Sequence, residues 1–290
     1  MKFPFQTIAI IGKHKSPDMA IPILCLGDFL ASRGVHVVVD GLSAEHIKGH
    51  PFTALSLDEI ATSVDMAIVI GGDGTLLNIA RALAPYGVPI AGVNQGRIGF
   101  LTDLSMGTMQ DGIAAMLDGI FVTEQRLLLT ARVIRDGVEI FSGLALNEVV
   151  VHRSNISSMV EFEVRIDGEY LYNQRADGLI ISTPTGSTAY AMSAGGPIIH
   201  PGLDVVQLVP VCPHSLSNRP IIVKGSSELE LLMHRTGDIC VRYDSHTTFE
   251  MQLHDKLIVK KFAQPVLLMH PAGHSYYHTL REKLLWNQTL

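Results

Sequence analysis

Residues 71–75, Gly71-Gly72-Asp73-Gly74-Thr75, set one carboxylate among three glycines at the end of an apolar run. Glycines at such a turn accept positive φ and remove the Cβ atoms that would block a phosphate. Backbone N–H groups at a strand-to-helix junction also face an anion well. A carboxylate at the same place repels phosphate, so Asp73 must serve otherwise, either taking a proton from an attacking hydroxyl or holding a divalent cation that bridges phosphates. The plain alternative is a tight turn in which Asp73 caps the helix. No G-x-x-x-x-G-K-[ST] string occurs, and Gly92, Gly96 and Gly99 lack the spacing of a dinucleotide fingerprint.

Two further stretches carry polar groups where an apolar pattern is expected. In LALNEVVVHR, Asn147 and Glu148 interrupt a strand pattern, and neighbours on a strand point to opposite sides unless a bulge intervenes. In RADGLIISTPTGSTAYAMSAGG, a strand runs into a loop where Thr183, Thr185, Ser187 and Thr188 cluster around Pro184 and Gly186 beside Tyr190. That density of hydroxyls next to an aromatic suits a ribose, an amide and a stacked ring. His152, His200 and His214 show no helical i, i+4 pairing and read as structural or loop residues, and no residue is assigned as a metal ligand.

The elements that must position these residues follow two periods. Up to about residue 122, β-branched runs at 7–12, 35–40, 66–72 and 88–94 alternate with helical patterns that end in Gly34 and Gly87. This is βαβ grammar and predicts a Rossmann-like parallel sheet whose ligands sit at the carboxyl ends of its strands. From 123 to 270 the period becomes two, as in MVEFEVRID, where Phe162, Val164 and Ile166 share a face, and Asp136-Gly137 and Asp167-Gly168 mark hairpins. The expectation is an α/β domain over 1–122, a β-sandwich over 123–270, and a helical segment over 271–290 docking on the first domain through Tyr277, Leu280, Leu284 and Leu285.

An apolar fraction of 47% and a charged fraction of 17% describe a globular chain, and 290 residues suit two domains. The formal charge of −6 argues against nonspecific nucleic-acid binding. Cys25, Cys212 and Cys240 are too scattered for a disulfide framework, which points to a reducing compartment. No stretch approaches the roughly 20 apolar residues of a membrane span. A cytoplasmic protein without nucleic-acid or membrane partners is expected.

Five motifs together resemble the bacterial-type NAD kinases over nearly the whole chain: GGDGT at 71–75, NQGRIGFLTD at 94–103, NEVVVHR at 147–153, ADGLIISTPTGSTAY at 176–190 and PHSLSNRPIIV at 213–223. The pentad alone is shared with diacylglycerol kinases, sphingosine kinases and phosphofructokinases; its combination with TPTGSTAY and Asn-Glu is far more specific. The resemblance implies transfer of phosphate from ATP to the 2′-hydroxyl of the adenosine ribose of NAD, with Mg²⁺ or another divalent cation. It implies Asp73 as proton acceptor and dinucleotide contact, Gly74 against the dinucleotide, and Asn147 and Glu148 on ribose hydroxyls. Asp177 with Thr188, Ala189 and Tyr190 would line the nicotinamide and adenine pockets, and Arg175, Met192, Ser193 and His246 complete the implied NAD-binding set. A homodimer or homotetramer is implied as well.

The chain departs from the family pattern at Asp244-Ser245-His246, where relatives carry Asp-Gly-Gln or Asp-Ser-Gln, and at Ser158, where some carry histidine. Lys13 and Lys15 are the candidates for donor phosphates. Two rivals stand beside this reading: a lipid or sugar kinase sharing the pentad, and a pyridine-nucleotide sensor without catalysis. The first should lack the STPTGSTAY loop and the second has no need of a base at the turn.

Overall fold

The computed structural model describes residues 5–14, 16–47, 49–96, 99–153, 159–235, 239–244 and 246–286. Lys15, Ser158, Ser245 and residues 287–290 of the expected terminal segment lie outside the described residues. The chain forms two units, Met1–Gln125 with Val266–Leu290, and Arg126–Pro265.

The first unit is built on a sheet ordered Thr53–Leu55, His36–Asp40, Thr7–Gly12, Met66–Gly71, Ile90–Asn94, Val266–Pro271 and Phe121–Arg126. The pairings from Thr53–Leu55 through Val266–Pro271 are parallel. The first five strands thus run in the spatial order 3-2-1-4-5 of a doubly wound sheet, whose ligand crevice opens beyond the carboxyl ends of strands 1 and 4. Those ends are Gly12 and Gly71, so the topology sets the Gly71–Thr75 turn at the switch point. Every residue of Met66–Gly71 is buried, which is why it reads as an unbroken apolar run and not as an alternation.

Two differences from the sequence-based expectation stand out in this unit. Val266–Pro271, left with the sandwich when the second domain is drawn to 270, is a parallel neighbour of Ile90–Asn94. A short apolar strand carries no mark of which sheet it joins, and only the long-range pairing decides. The terminal helix runs over Tyr276–Leu284, in this unit as expected, but of the anticipated stripe only Leu280 is buried, while Tyr277 is 61% exposed. Thr279, not Tyr277, fills the inner face beside Leu280.

The second unit holds two six-stranded sheets. One is ordered Ile221–Lys224, Val205–Val211, Gly178–Ser182, Glu148–Arg153, Ile239–Tyr243, Thr247–Met251. The other is ordered Glu169–Ala176, Val160–Ile166, Leu229–Arg235, Lys256–Lys261, Leu129–Arg135, Val138–Ala145. Val149, Val151, Leu179 and Ile181 of the first meet Val133, Phe162, Val164 and Leu231 of the second in one core, a β-sandwich. Both Asp-Gly pairs have positive φ at each residue, 50° and 80° at Asp136-Gly137 and 53° and 83° at Asp167-Gly168, the geometry of two-residue hairpins. Gly178–Ser182 is buried on both faces because Ile180, with Val150 and Val209, packs outward on Ala191.

Candidate active site

In the first unit, Asp73 opens the helix Asp73–Leu83, yet its side chain does not cap that helix. Its Oδ2 accepts the N–H of Phe100 at 2.8 Å, and its Oδ1 accepts the N–H of Leu101 at 3.1 Å and the hydroxyl of Thr102 at 3.2 Å. Asn94 extends the clasp, donating from Nδ2 to Thr102 Oγ1 at 2.7 Å and accepting the N–H of Gly96 at 2.7 Å. The GGDGT turn is therefore tied by hydrogen bonds to Phe100, Leu101 and Thr102 and, through Thr102, to Asn94. Gly99 has a packing role here: a Cβ on it would lie 1.9 Å from Asp73 Oδ1. Gly72 and Gly74 are different, since a Cβ on either would meet nothing within 4 Å. The turn thus has free space above it and a carboxylate fixed in orientation from below.

The same unit holds a cluster that the sequence reading missed. Asp103 Oδ2 contacts His270 Nδ1 and lies 3.1 Å from His274 Nδ1, while His270 Nε2 lies 3.1 Å from Glu124 Oε2. The two imidazole rings stack with centroids 4.0 Å apart. Burial opposes the charge on Asp103, but the hydrogen bonds from His270 and His274 outweigh it and hold the carboxyl well below the usual carboxylate range. The spacing His270-x₃-His274 was the available signal, and it fell at a strand end where no helical pairing rule applies.

In the second unit, Asn147 sits in the bend between Val138–Ala145 and Glu148–Arg153. Asp244, at φ 48°, organises it: one oxygen accepts the Leu146 N–H at 2.8 Å, and the other accepts those of Asn147 at 2.7 Å and Glu148 at 3.0 Å. Glu148 is only 3% exposed. Burial first, and the negative charge of Asp244 second, push its carboxyl up to about 8. Its Oε2 is buried with no hydrogen-bond partner among the described residues. A buried, protonated carboxyl with an unused oxygen is a group waiting for a polar ligand.

The hydroxyl-rich loop divides by depth. Thr183 Oγ1 donates to Leu146 O at 2.5 Å, and Ser187 Oγ donates to Pro184 O at 2.6 Å and accepts the N–H of Ile199 at 2.9 Å. These two hydroxyls build the loop, so their density alone was a poor guide to a ribose. Gly186 lies so close to the bend that a Cβ would be 2.2 Å from Asn147 O. Thr188 and Ala189 are partly exposed, and Tyr190, Met192 and Ser193 follow on the short helix Tyr190–Ser193.

Asp177 and Tyr190 line one cavity of about 310 Å³ with His152, Arg153, Val150 and Arg242. Arg153 Nη2 donates to Asp177 Oδ2 at 3.1 Å. His152 Nε2 lies 3.1 Å from Cys240 Sγ, and that hydrogen bond raises the imidazole's pKa against its burial. Arg175 is not part of this group; it pairs with Glu161 at 2.8 Å and lines a separate cavity of about 590 Å³ with Tyr172, His214 and Arg219. His246 is exposed in the turn before Thr247–Met251. Lys13 is exposed just after Thr7–Gly12.

Residues 8–121 match the family model described as the ATP-NAD kinase N-terminal domain, and residues 146–270 that of the ATP-NAD kinase C-terminal domain. The chain belongs to the ATP-NAD kinase family. It is 53% identical to an NAD kinase of Nitrosomonas europaea over 99% of this chain and 97% of that one. Identity to an NAD kinase of Thiobacillus denitrificans is 44% over the full length of both. Membership in the ATP-NAD kinase family makes the chain an enzyme, a phosphotransferase of the NAD kinase type. A yeast NADH kinase crystallised with NADH shares the fold at a TM-score of 0.88 and 23% identity, over 99% of this chain and 89% of that one. An Archaeoglobus fulgidus NAD kinase in complex with ATP does so at 0.74 and 24%, over 96% and 98%. No helix among the described residues is long and apolar enough to cross a membrane.

Proposed function

We propose that the chain transfers the terminal phosphate of ATP to the 2′-hydroxyl of the adenosine ribose of NAD, giving NADP and ADP, with Asp73 as the general base. The observation that carries this reading is the fixed carboxylate of Asp73 at the switch point of the parallel sheet, beside two glycines with open space over them. A carboxylate offers about four lone-pair positions, and three are taken by the 100–102 segment, which leaves room for one hydroxyl. As that hydroxyl attacks, its proton passes to Asp73, the new O–P bond forms at the terminal phosphorus, and the bond to the leaving ADP oxygen breaks.

The second unit is the dinucleotide holder in this reading. Asn147 and the buried carboxyl of Glu148 take ribose hydroxyls; Glu148, protonated, both donates and accepts. Asp177 and Tyr190 bracket an amide and a ring, with Thr188, Ala189, Met192, Ser193 and His246 around them, Arg175 as an outlying contact and Gly74 against the dinucleotide. A divalent cation such as Mg²⁺ accompanies ATP. Asp73 is the carboxylate of the turn and is largely engaged, so the residues fit a cation held chiefly by phosphate oxygens and water. When bound, such an ion supplies charge screening for the transferring group. The enzyme is taken to work as a homodimer or homotetramer in the cytoplasm.

The test is incubation with ATP, Mg²⁺ and NAD, read by an NADP-specific dehydrogenase. NADP formation is expected. Calorimetric NAD binding without any NADP would favour the sensor, and phosphorylation of a lipid or sugar in place of NAD would favour the other kinases.

A further inference from the structure

The strand Ile90–Asn94 has Met66–Gly71 along one edge for its whole length. Its other edge is shared: Val266–Pro271 pairs at Ile90 and Ala91, and Leu104–Ser105 pairs at Val93 and Asn94. Both run parallel to it, so the end of one meets the start of the other opposite Gly92. The segment that clasps Asp73 packs against this point, since a Cβ on Gly92 would lie 2.8 Å from Thr102 Cγ2 and 3.0 Å from the Leu101 carbonyl oxygen. That segment is a tight turn, closed by the Gly99 N–H donating to the Thr102 carbonyl at 3.1 Å. Its outgoing end is Asp103, whose Oδ2 hydrogen-bonds His270 Nδ1 and lies 3.1 Å from His274 Nδ1. His270 follows Met269, which pairs with Ala91 in the parallel sheet, and is only 1% exposed.

We propose that Asp103 and His270 are positioning residues for phosphoryl transfer: they brace the turn at 99–102 against the parallel sheet and so fix the direction in which the Asp73 carboxylate points. The proposal rests on the reading of Asp73 as the general base. Every link in the path is a covalent or a hydrogen bond, from His270 on its strand to Asp103, along the backbone to Thr102, and from Thr102 Oγ1 to Asp73 Oδ1. The three donors that orient Asp73 come from the consecutive residues Phe100, Leu101 and Thr102, so any rotation of the turn displaces all three together. Leu104–Ser105 pairs with its neighbour over two residues only, and Asp103 supplies a further anchor at the same end.

Stability alone would not call for these residue types. Burying a carboxylate beside an imidazole carries a desolvation cost that their attraction does little more than offset, and well-packed apolar side chains hold a junction as firmly. What the polar pair adds is direction, because a hydrogen bond weakens steeply off its axis and an apolar contact does not. Direction matters at a base, where a misplacement of about 1 Å can cost about 10²-fold in rate. The support also comes from a strand, the kind of element that holds a site more closely than a loop does. His274, carried by the turn that leads into Tyr276–Leu284, stacks on the His270 ring with centroids 4.0 Å apart and planes 13° from parallel, which restrains that ring from turning away from Asp103.

The experiment uses the full chain in the coupled NADP assay together with amide hydrogen exchange read by NMR without substrates. Asp103→Ala and His270→Ala should each lower kcat by about 10–100-fold while KM for NAD stays within about threefold. Asp103→Asn keeps an acceptor at the contact and His270→Asn keeps a donor, so each should recover most of that loss. In an Asp73→Asn background, Asp103→Ala should cost less than about threefold more, because its effect passes through Asp73. The amides of Phe100 and Leu101, protected in the wild type, should exchange more than about tenfold faster in Asp103→Ala. The proposal is overturned if Asp103→Ala, folded by circular dichroism, keeps its kcat, raises KM instead, or adds its full loss to that of Asp73→Asn. Equal losses in Asp103→Asn and Asp103→Ala overturn it too. An Asp73→Asn variant that keeps its rate removes the base reading and this proposal with it, whereas unchanged exchange at Phe100 and Leu101 beside an inactive Asp73→Asn removes the brace alone. Where no variant folds, the wild type decides: Phe100 and Leu101 amides that exchange as fast as exposed loop amides rule out a fixed turn, and slow exchange there supports one.

Discussion

Replacing Glu148 by glutamine converts a titrating buried group into one that cannot titrate, and the structure sets the size of the consequence. The carboxyl is pushed up to about 8 from an ordinary 4.5 by burial and by Asp244. The native state therefore keeps a proton that the unfolded chain gives up. Stability from this group is fully present below about pH 4.5, is lost as pH rises, and levels off above about pH 8. Between about pH 5 and pH 8 the wild type should lose about 3 kcal/mol relative to Glu148→Gln. With a urea slope of about 1–3 kcal/mol/M, the gap between the two midpoints should grow by about 1 M or more over that range. Urea unfolding followed by near-ultraviolet circular dichroism suits the measurement, because Tyr243 is buried in the same unit. Other titrating groups move both proteins alike, so the difference isolates Glu148. Midpoints that stay parallel from pH 5 to pH 8 would contradict this account, since they would mean that Glu148 ionises in the folded protein as it does in the unfolded one.

Asp73→Asn should lower kcat by about 10²–10⁴-fold in the coupled assay, the usual worth of a general base, and a variant keeping more than about a tenth of the rate would sink that role. The amide also turns an NH₂ towards the donors of the 100–102 segment, so Tm should fall as well, and calorimetric NAD affinity tells the two effects apart. Gly99→Ala pushes a methyl to 1.9 Å from Asp73 Oδ1, so it should cost kcat more than KM; an unchanged kcat would show that the clasp does not position the base. In Asp244→Asn the residue keeps a tolerated backbone, since asparagine accepts φ near 48°, but the charge facing Glu148 is removed. The pH dependence described for Glu148 should then shift to lower pH, and an unmoved profile would leave burial as the sole cause.

Periodicity and turn chemistry are local, and what they encode was legible in the residues alone. The apolar run Met66–Gly71 is a strand buried on all sides, Val160–Ile166 alternates as a sandwich strand does, and the Asp-Gly pairs turn with positive φ, all from local pattern. The motifs carrying Asp73, Asn147 and Glu148 were legible for the same reason, because a polar group breaking an apolar run is conspicuous. Thr183 and Ser187 misled, since a hydroxyl that satisfies its own loop and one that meets a ligand are spelled alike. It took the folded chain to place Val266–Pro271 in the parallel sheet, to clasp Asp73 with residues 100–102, and to keep Glu148 protonated through Asp244 and burial together. The meeting of Asp103, His270 and His274 belongs to the same class. Each of these depends on residues far apart in the chain sharing one edge or one bend, and the free energy that brings them together comes from the burial of whole sheets, not from any local signal that a sequence window can hold.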